Sequence, residues 1–282
     1  MLRLSRSLYR SPKAFVSSRL VANRTLTTSI SQNVGWKSNT SKIIGLTALG
    51  ASLTAAGYLA FSSPAYSEAP AYAGTVEDPA TNLVFPINLN TDNEWKRLIG
   101  LGVRAVTFLN MNVYVVGMYM KSEDIGELRK LDGWKNFDRS KFLQDTDLAE
   151  KFLDQPYELS IRLVPTRATN TQHLRDGFLR LLMQRMKDQE MTEDEEREVL
   201  KAIQEFKSNF VSMRVKKDTE FIFTKTREGG LKLVYEGRDF GTVQNPWLAK
   251  NFFMSYLNPN APSSEAALYD IADGFERLMK EN

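Results

Sequence analysis

The chain has 282 residues, with 37 Lys and Arg against 34 Asp and Glu, one histidine and no cysteine. With no thiol there is no disulfide, thiolate metal site, thiol catalysis or covalent haem attachment through Cys-x-x-Cys-His. The net charge of +3 is unevenly spread: eight basic residues and no acid precede Glu68, leaving 29 Lys and Arg against 34 Asp and Glu, a mildly acidic remainder that argues against general nucleic-acid binding.

Residues 1–42 are rich in Arg and Ser, lack acid, and carry apolar spots at Leu2, Leu4, Leu8, Phe15 and Leu20. This is the composition of a mitochondrial transit peptide. A basic arm that binds nucleic acid or anionic lipid would favour Lys and would rarely run straight into a membrane span. The run Ile43–Phe61 holds 19 residues without a charge. As a helix it spans about 28 Å, close to a bilayer core of roughly 30 Å, and is expected to cross a membrane once. Its small residues would let a second helix approach closely. Lys37 and Lys42 precede the span, and Glu68 and Glu77 follow it. The positive-inside rule keeps the basic end in the matrix, so the rest of the chain is expected in the intermembrane space, anchored to the inner membrane. A flank of two lysines is weak enough for the import machinery to override. Residues 62–82, rich in Pro, Ala and Ser, read as a linker. Residues 83–282 then form one domain.

Within that domain, Leu98–Phe108 and Asn112–Lys121 read as the strands of a hairpin. Helices are expected over 123–131 and 138–153, then a strand at Glu158–Val164. Leu174, Phe178, Leu181 and Leu182 give helical spacing to Thr171–Lys187. Thr192 and Glu195 form a capping box for a helix reaching about Phe210. Strands follow at Glu220–Thr226 and Leu231–Tyr235, with Gly229-Gly230 as the turn. A segment Pro246–Leu257 and a last amphipathic helix from Ser264 complete the chain. Strands and helices come in blocks, which predicts an α+β class with a mostly antiparallel sheet.

Arg104 is the first candidate for chemistry. Alternation places it on one face with Val106 and Phe108. A turn centred on Leu109 pairs it across the hairpin with Tyr114, which shares its face with Val116 and Met118. A guanidinium fork and a phenol on an apolar surface suit a carboxylate with an apolar body. The structural alternative is an edge-strand Arg that reaches water or pairs with an internal acid. His173 and Asn170 stand at the start of a helix, where a capping or surface role is the ordinary one. With no Cys, His173 is also the leading candidate for a haem-iron ligand, ahead of Met and Tyr. Arg167 and Arg175 flank the same region and read as solvated helix-end charges. The acids Glu193–Glu196 favour a helix N-terminus, with Glu193–Arg197 as a supporting pair, over a metal site. No phosphate loop, dinucleotide fingerprint or Ser-His-Asp set is present.

The stretch Gly100–Met120, GLGVRAVTFLNMNVYVVGMYM, resembles the signature hairpin of the chalcone isomerase family: Gly-x-Gly-x-Arg, an apolar strand, then Val-Tyr-x-x-Gly-x-Tyr. Ser160–Val164, Asp218–Phe223, Gly237–Thr242 and Asn245–Leu257 resemble later elements of that family. With its presequence and span, the chain is similar to the fungal mitochondrial members. The resemblance implies an open-faced β-sandwich of chalcone isomerase type, a large antiparallel sheet with helices layered on one side. It implies an arginine, here Arg104, that holds the ligand's oxygen. The family's other polar positions depart here. Tyr114 stands in place of a threonine, the region of Asn170 and Gly177 keeps neither expected role, and Asn245 is followed by Pro246. The Tyr replacement is similar to non-catalytic members that bind fatty acids through an arginine and a tyrosine, and related fungal members are associated with haem. Three functions are therefore expected in order. The first is a membrane-anchored, non-catalytic binder of an apolar carboxylate, either fatty acid or haem b, through Arg104, Tyr114, Asn170 and His173. The second is an assembly protein without ligand, and the third an active isomerase of the intramolecular lyase type.

Overall fold

The computed structural model describes residues 74–106 and 111–281. The expected transit peptide (1–42), the expected span (43–61) and the first part of the expected linker lie outside the described residues. Among the described residues no helix is long and apolar enough to cross a membrane.

The strands are β1 (Thr75–Glu77), β2 (Val84–Pro86), β3 (Asn88–Thr91), β4 (Glu94–Val106), β5 (Met111–Lys121), β6 (Leu159–Pro165), β7 (Thr169–Asn170), β8 (Arg214–Val215), β9 (Phe221–Lys225), β10 (Gly230–Tyr235) and β11 (Arg238–Gln244). The helices are α1 (Ser122–Leu128), α2 (Arg139–Phe142), α3 (Asp147–Leu153), α4 (Thr171–Lys187), α5 (Glu193–Asn209), α6 (Pro246–Leu257) and α7 (Glu265–Lys280). Seven strands form one sheet in the order β11-β10-β9-β6-β5-β4-β3, every neighbouring pair antiparallel. The α+β class and the antiparallel sheet are as expected.

The sheet curls. Lys232 on β10 reaches Asp92, in the turn between β3 and β4, at 2.6 Å. Four strand spacings of about 4.8 Å separate β4 from β10, so a flat sheet would hold them about 19 Å apart. The helices cover one face. There Tyr114, Val116, Met118 and Met120 of β5 share a core with Leu182, Phe252, Phe275 and the ring of Trp134. The other face is not bare. Phe85 of β2 is fully buried against Val115, Tyr119 and Val164. Arg162 stacks over the Phe85 ring at 4.6 Å and donates to the Val84 carbonyl at 3.1 Å. The stretch read as linker thus contains β1 and the start of a strap that closes this second face.

Local chemistry sets the element ends. The Asn170, Ser264 and Asn245 side chains cap α4, α7 and α6, and Pro246 opens α6 where its missing N–H costs nothing. The capping box at Thr192 and Glu195 is present. Arg197 pairs with Asp194 at 3.0 Å rather than with Glu193. The helix expected over 138–153 is two short ones. Asp138 caps the first, and the Asp145 side chain accepts from the Asp147 amide at 3.0 Å to start the second.

β3 pairs only with Glu94–Arg97, so from Leu98 onward β4 has strand partners on one side alone. α7 takes the other. The Leu101 amide donates to Asp270 Oδ2 at 2.8 Å, and Ser264 Oγ donates to the Val103 carbonyl at 2.7 Å. A Cβ on Gly100 or Gly102 would overlap the α7 backbone, and one on Gly274 would overlap the Ile99 carbonyl. Gly102→Ala should therefore cost about 3 kcal/mol or more, as overpacking against backbone does. Gly126→Ala, in α1 with nothing within 4 Å of the added Cβ, should stabilise by about 0.5–1 kcal/mol. Urea unfolding of the two variants reads the contrast.

Lys225 is only 5% exposed, and its Nζ donates to the carbonyls of Gln155 at 2.8 Å and Tyr157 at 3.2 Å. Burial lowers its pKa from 10.5 to about 8. Between those values the unfolded chain holds more protons than the folded one, so stability should rise with pH from about 8 to about 10. Replacing Lys225 by Met should remove that slope, which chemical unfolding at stepped pH would read.

Candidate functional site

β4 and β5 bring Arg104 and Tyr114 opposite one another, as the spacing predicts. The route differs. Next to the loop the register is Val106 opposite Met111, and a bulge between Arg104 and Ala105 shifts it by one residue. A second shift lies between Leu98 and Gly100. The hairpin is therefore not centred on Leu109, and the bulge creates the pair.

Arg104 Nη1 donates to Tyr114 Oη at 3.4 Å, and its guanidinium carbon lies 5.5 Å from the centre of that ring. Tyr114 Oη is 3.1 Å from Tyr256 Oη on α6. Both phenols are buried, at 1% exposure each. Arg104 itself is half-buried. A Cβ placed on Gly177 of α4 would lie 3.9 Å from Arg104 Nη1, so α4 passes over the guanidinium at a position without a side chain. Among the described residues no carboxylate pairs with Arg104. The acid-paired alternative therefore does not describe it. The adjacent phenols, Tyr114 first, hold its proton more tightly than usual against the opposing effect of burial. Burial, followed by the neighbouring Tyr114, pushes the Tyr256 phenol well above its usual value. The site is a fixed cation beside two adjoining phenols, and can present N–H and O–H donors to an anion.

Tyr256 and Gly177 complete what the sequence reading missed. α6 is buried nearly all round, from Leu248 and Ala249 through Asn251 to Leu257. A phenol inside such a helix must find a partner, and that was the available signal. Asn170 caps α4, its Oδ1 accepting from the His173 amide at 2.8 Å. His173 lies one turn before Gly177 but is exposed, and lines a recess of about 690 Å³ with Arg167, Asn170, Met213 and Arg214. The contacts that hold Arg104 include neither Asn170 nor His173. Arg175 pairs with its neighbour Asp176 at 2.7 Å. Among the described residues no three His, Asp or Glu side chains cluster as metal ligands.

A family profile described as "Chalcone isomerase like" matches residues 94–272. The chain belongs to that family. "Altered inheritance of mitochondria protein 18, mitochondrial" of Debaryomyces hansenii is 29% identical over 208 residues, which cover 67% of this chain and 68% of that one. The protein of the same name from Vanderwaltozyma polyspora is 29% identical over 203 residues, covering 62% and 63%. The alignments thus span about two-thirds of these relatives. The crystal structure of an Arabidopsis thaliana fatty-acid binding protein superposes with a TM-score of 0.60 at 21% identity, over 74% of this chain and 100% of that chain. That likeness is one of fold.

The phenol pair makes an energetic prediction. Tyr114→Phe leaves the buried Tyr256 hydroxyl without its partner and should cost about 1–3 kcal/mol, whereas losing both hydroxyls removes the unsatisfied group. The double variant Tyr114→Phe/Tyr256→Phe should accordingly be more stable than Tyr114→Phe alone. Urea midpoints at equal slope test this, and a double variant less stable than both single ones would break the proposed coupling.

Proposed function

We propose that this chain is a mitochondrial, membrane-anchored binding protein of chalcone isomerase fold. In this reading Arg104 and Tyr114 hold the carboxylate of an apolar ligand, a fatty acid by preference, without turning it over. The observation that carries it is the half-buried Arg104 guanidinium with no acid beside it. A charge removed from water is normally paired, and the missing partner is the one a ligand carboxylate supplies. Tyr114 adds a donor at the same point, and Tyr256 holds Tyr114 from behind. The rings of Phe252, Phe178 and Phe223, continuous from Tyr256, supply the apolar surroundings. The fatty-acid binding name of the superposed plant protein supports the ligand class. The mitochondrial names of the relatives and the acid-free first 67 residues support the compartment. The run 43–61 supports the anchor, with the domain on the intermembrane-space side.

Haem fits this geometry less well. His173 is exposed, and its recess is lined mainly by Arg167, Thr169, Asn170, Gln172, Ser212 and Arg214. A polar, open recess does not bury a porphyrin face, and Arg104 belongs to a different set of contacts. The assembly-protein reading has one observation in its favour: Tyr114, Tyr256 and Phe252 beside Arg104 are each only 1% exposed.

The test is titration of the purified full-length protein in detergent with oleic acid and, separately, with haem. One oleate should bind per chain. Loss of one charge-assisted contact should weaken it about 10- to 100-fold in Arg104→Ala and less in Tyr114→Phe. Haem binding that depends on His173 would replace the fatty acid as ligand. A folded protein that takes neither would leave the assembly reading, and turnover of a chalcone lost in Arg104→Ala would make it an enzyme.

A further inference from the structure

The described domain is mildly acidic, yet its charge is sorted by position. α4 and α5 form an antiparallel helix pair, each of 17 residues and so about 25 Å long. Their closed end, from Asp188 to Glu198, carries seven acids. Their open end is the short ladder of β7 and β8, where Thr169 pairs with Val215 and Asn170 with Arg214. The two segments that build this end contain no acid at all, from Leu159 to Arg175 and from Phe206 to Lys217. Arg214 and Lys216 flank the buried Val215 and so point outward together. Arg167 is exposed and lines both the 690 Å³ recess with Arg214 and His173 and a second recess of about 320 Å³ with Lys217. The acids nearest in sequence, Asp176 and Asp218, are held by Arg175 at 2.7 Å and Lys217 at 3.9 Å. Arg167, Arg214 and Lys216 have no acid partner among the described residues. Three residues before Arg214 stands Val211, 54% exposed, with Met213 partly exposed between them.

We propose that this basic pole, formed by Arg167, Arg214, Lys216 and Lys217 beside the exposed Val211, is a docking surface for an anionic lipid bilayer. Cations, three of them without an acid partner, next to an exposed apolar side chain match the two layers of such a surface, phosphate outside and hydrocarbon beneath. The acidic pole, a helix length away, turns the domain so that the basic end faces the membrane. Arg104 is placed by the same end of the sheet, since Tyr114 pairs with Pro165 at the entry to the Arg167 segment. Docking therefore brings the region of Arg104 to the phase in which apolar carboxylates dissolve. The surface stands on its own charges and does not need the ligand reading to hold.

The absence of cysteine permits a direct test on the full-length protein. Val211→Cys at the basic pole and Glu190→Cys at the acidic pole each carry one environment-sensitive label. The protein is reconstituted in vesicles of phosphatidylcholine, or of phosphatidylcholine with phosphatidylglycerol, both with a lipid-borne quencher. Vesicle attachment through any other segment is common to all samples and is not the readout. With anionic vesicles the label at 211 should be quenched several-fold more than that at 190. The difference should vanish in neutral vesicles, in high salt and in Arg167→Glu/Arg214→Glu. Equal quenching at the two positions, or the same quenching in both lipids, overturns the proposal. So does a response of the 211 label to inorganic phosphate that matches its response to anionic vesicles, which would make the recess a site for free phosphate. Oleate binding to Arg104, measured in detergent, fails or succeeds independently of these outcomes.

Discussion

The docking of α7 along β4 at backbone distance is the constraint on which the rest of the structure depends. It needs three residues without side chains, Gly100 and Gly102 on the strand and Gly274 on the helix, because any Cβ there would enter the opposing main chain. Close approach brings Asp270 and Ser264 within reach of the Leu101 amide and the Val103 carbonyl, which would otherwise be unpaired at the strand's edge. Beyond Val103 this cover by α7 ends. Arg104 is the next residue, and its side chain meets Tyr114 and α4 instead. The Gly-x-Gly-x-Arg spacing therefore has a mechanical content: two glycines seat the helix, and the arginine begins where the helix stops.

A second constraint acts on the helix-covered face. Gly177 is the point at which α4 crosses Arg104, and Tyr256 is the point at which α6 meets Tyr114. Each helix contributes one feature that an average residue would spoil. A Cβ at 177 would come into ordinary contact with the guanidinium, so that only a larger side chain would crowd it, and an apolar residue at 256 would leave the Tyr114 hydroxyl with Arg104 alone. The two helices thereby hold the pair that the hairpin aligns, and the site becomes a property of three elements brought together by packing. The apolar strap over the far face closes the sheet with Phe85, so the helix-covered face is where the hairpin's polar pair meets its other partners.

Much of this was legible in the sequence where a local rule governs. α4 follows its apolar spacing and its cap, and α5 follows its capping box. The Arg104–Tyr114 pair follows from alternation, although the register beside the loop, Val106 opposite Met111, is not the symmetric one behind that inference. A bulge restores the pairing, and a bulge leaves little trace in a pattern of period two. The break between α2 and α3 was hidden because Asp145 and Thr146 are tolerated within a helix, and only the bond from Asp147 to the Asp145 side chain reveals a second start. β1 was hidden because its three residues stay exposed and it is held by its pairing with β2: a Pro- and Ala-rich segment reads as linker until Arg162 and Tyr119 are seen to hold the residues that follow. Tyr256 was hidden for a related reason. Its partner lies 142 residues away, and only the sheet and α6 together bring them to 3.1 Å.

The composition of the site bears on what it can do. Isomerisation by proton transfer at neutral pH needs a group that gains and loses a proton near that pH. Arg104 does not, since the phenols hold it more firmly protonated. Tyr256 does not, since burial keeps it neutral. His173 lies exposed at the start of α4 and outside the contacts that hold Arg104. What remains at Arg104 is a permanent positive charge with directed hydroxyl groups in a mainly apolar setting. Such a set stabilises a negative charge that a ligand already carries, and offers little that would change between its ground state and a transition state. In the binding role proposed above, uniform stabilisation of that kind would hold the ligand without turning it over.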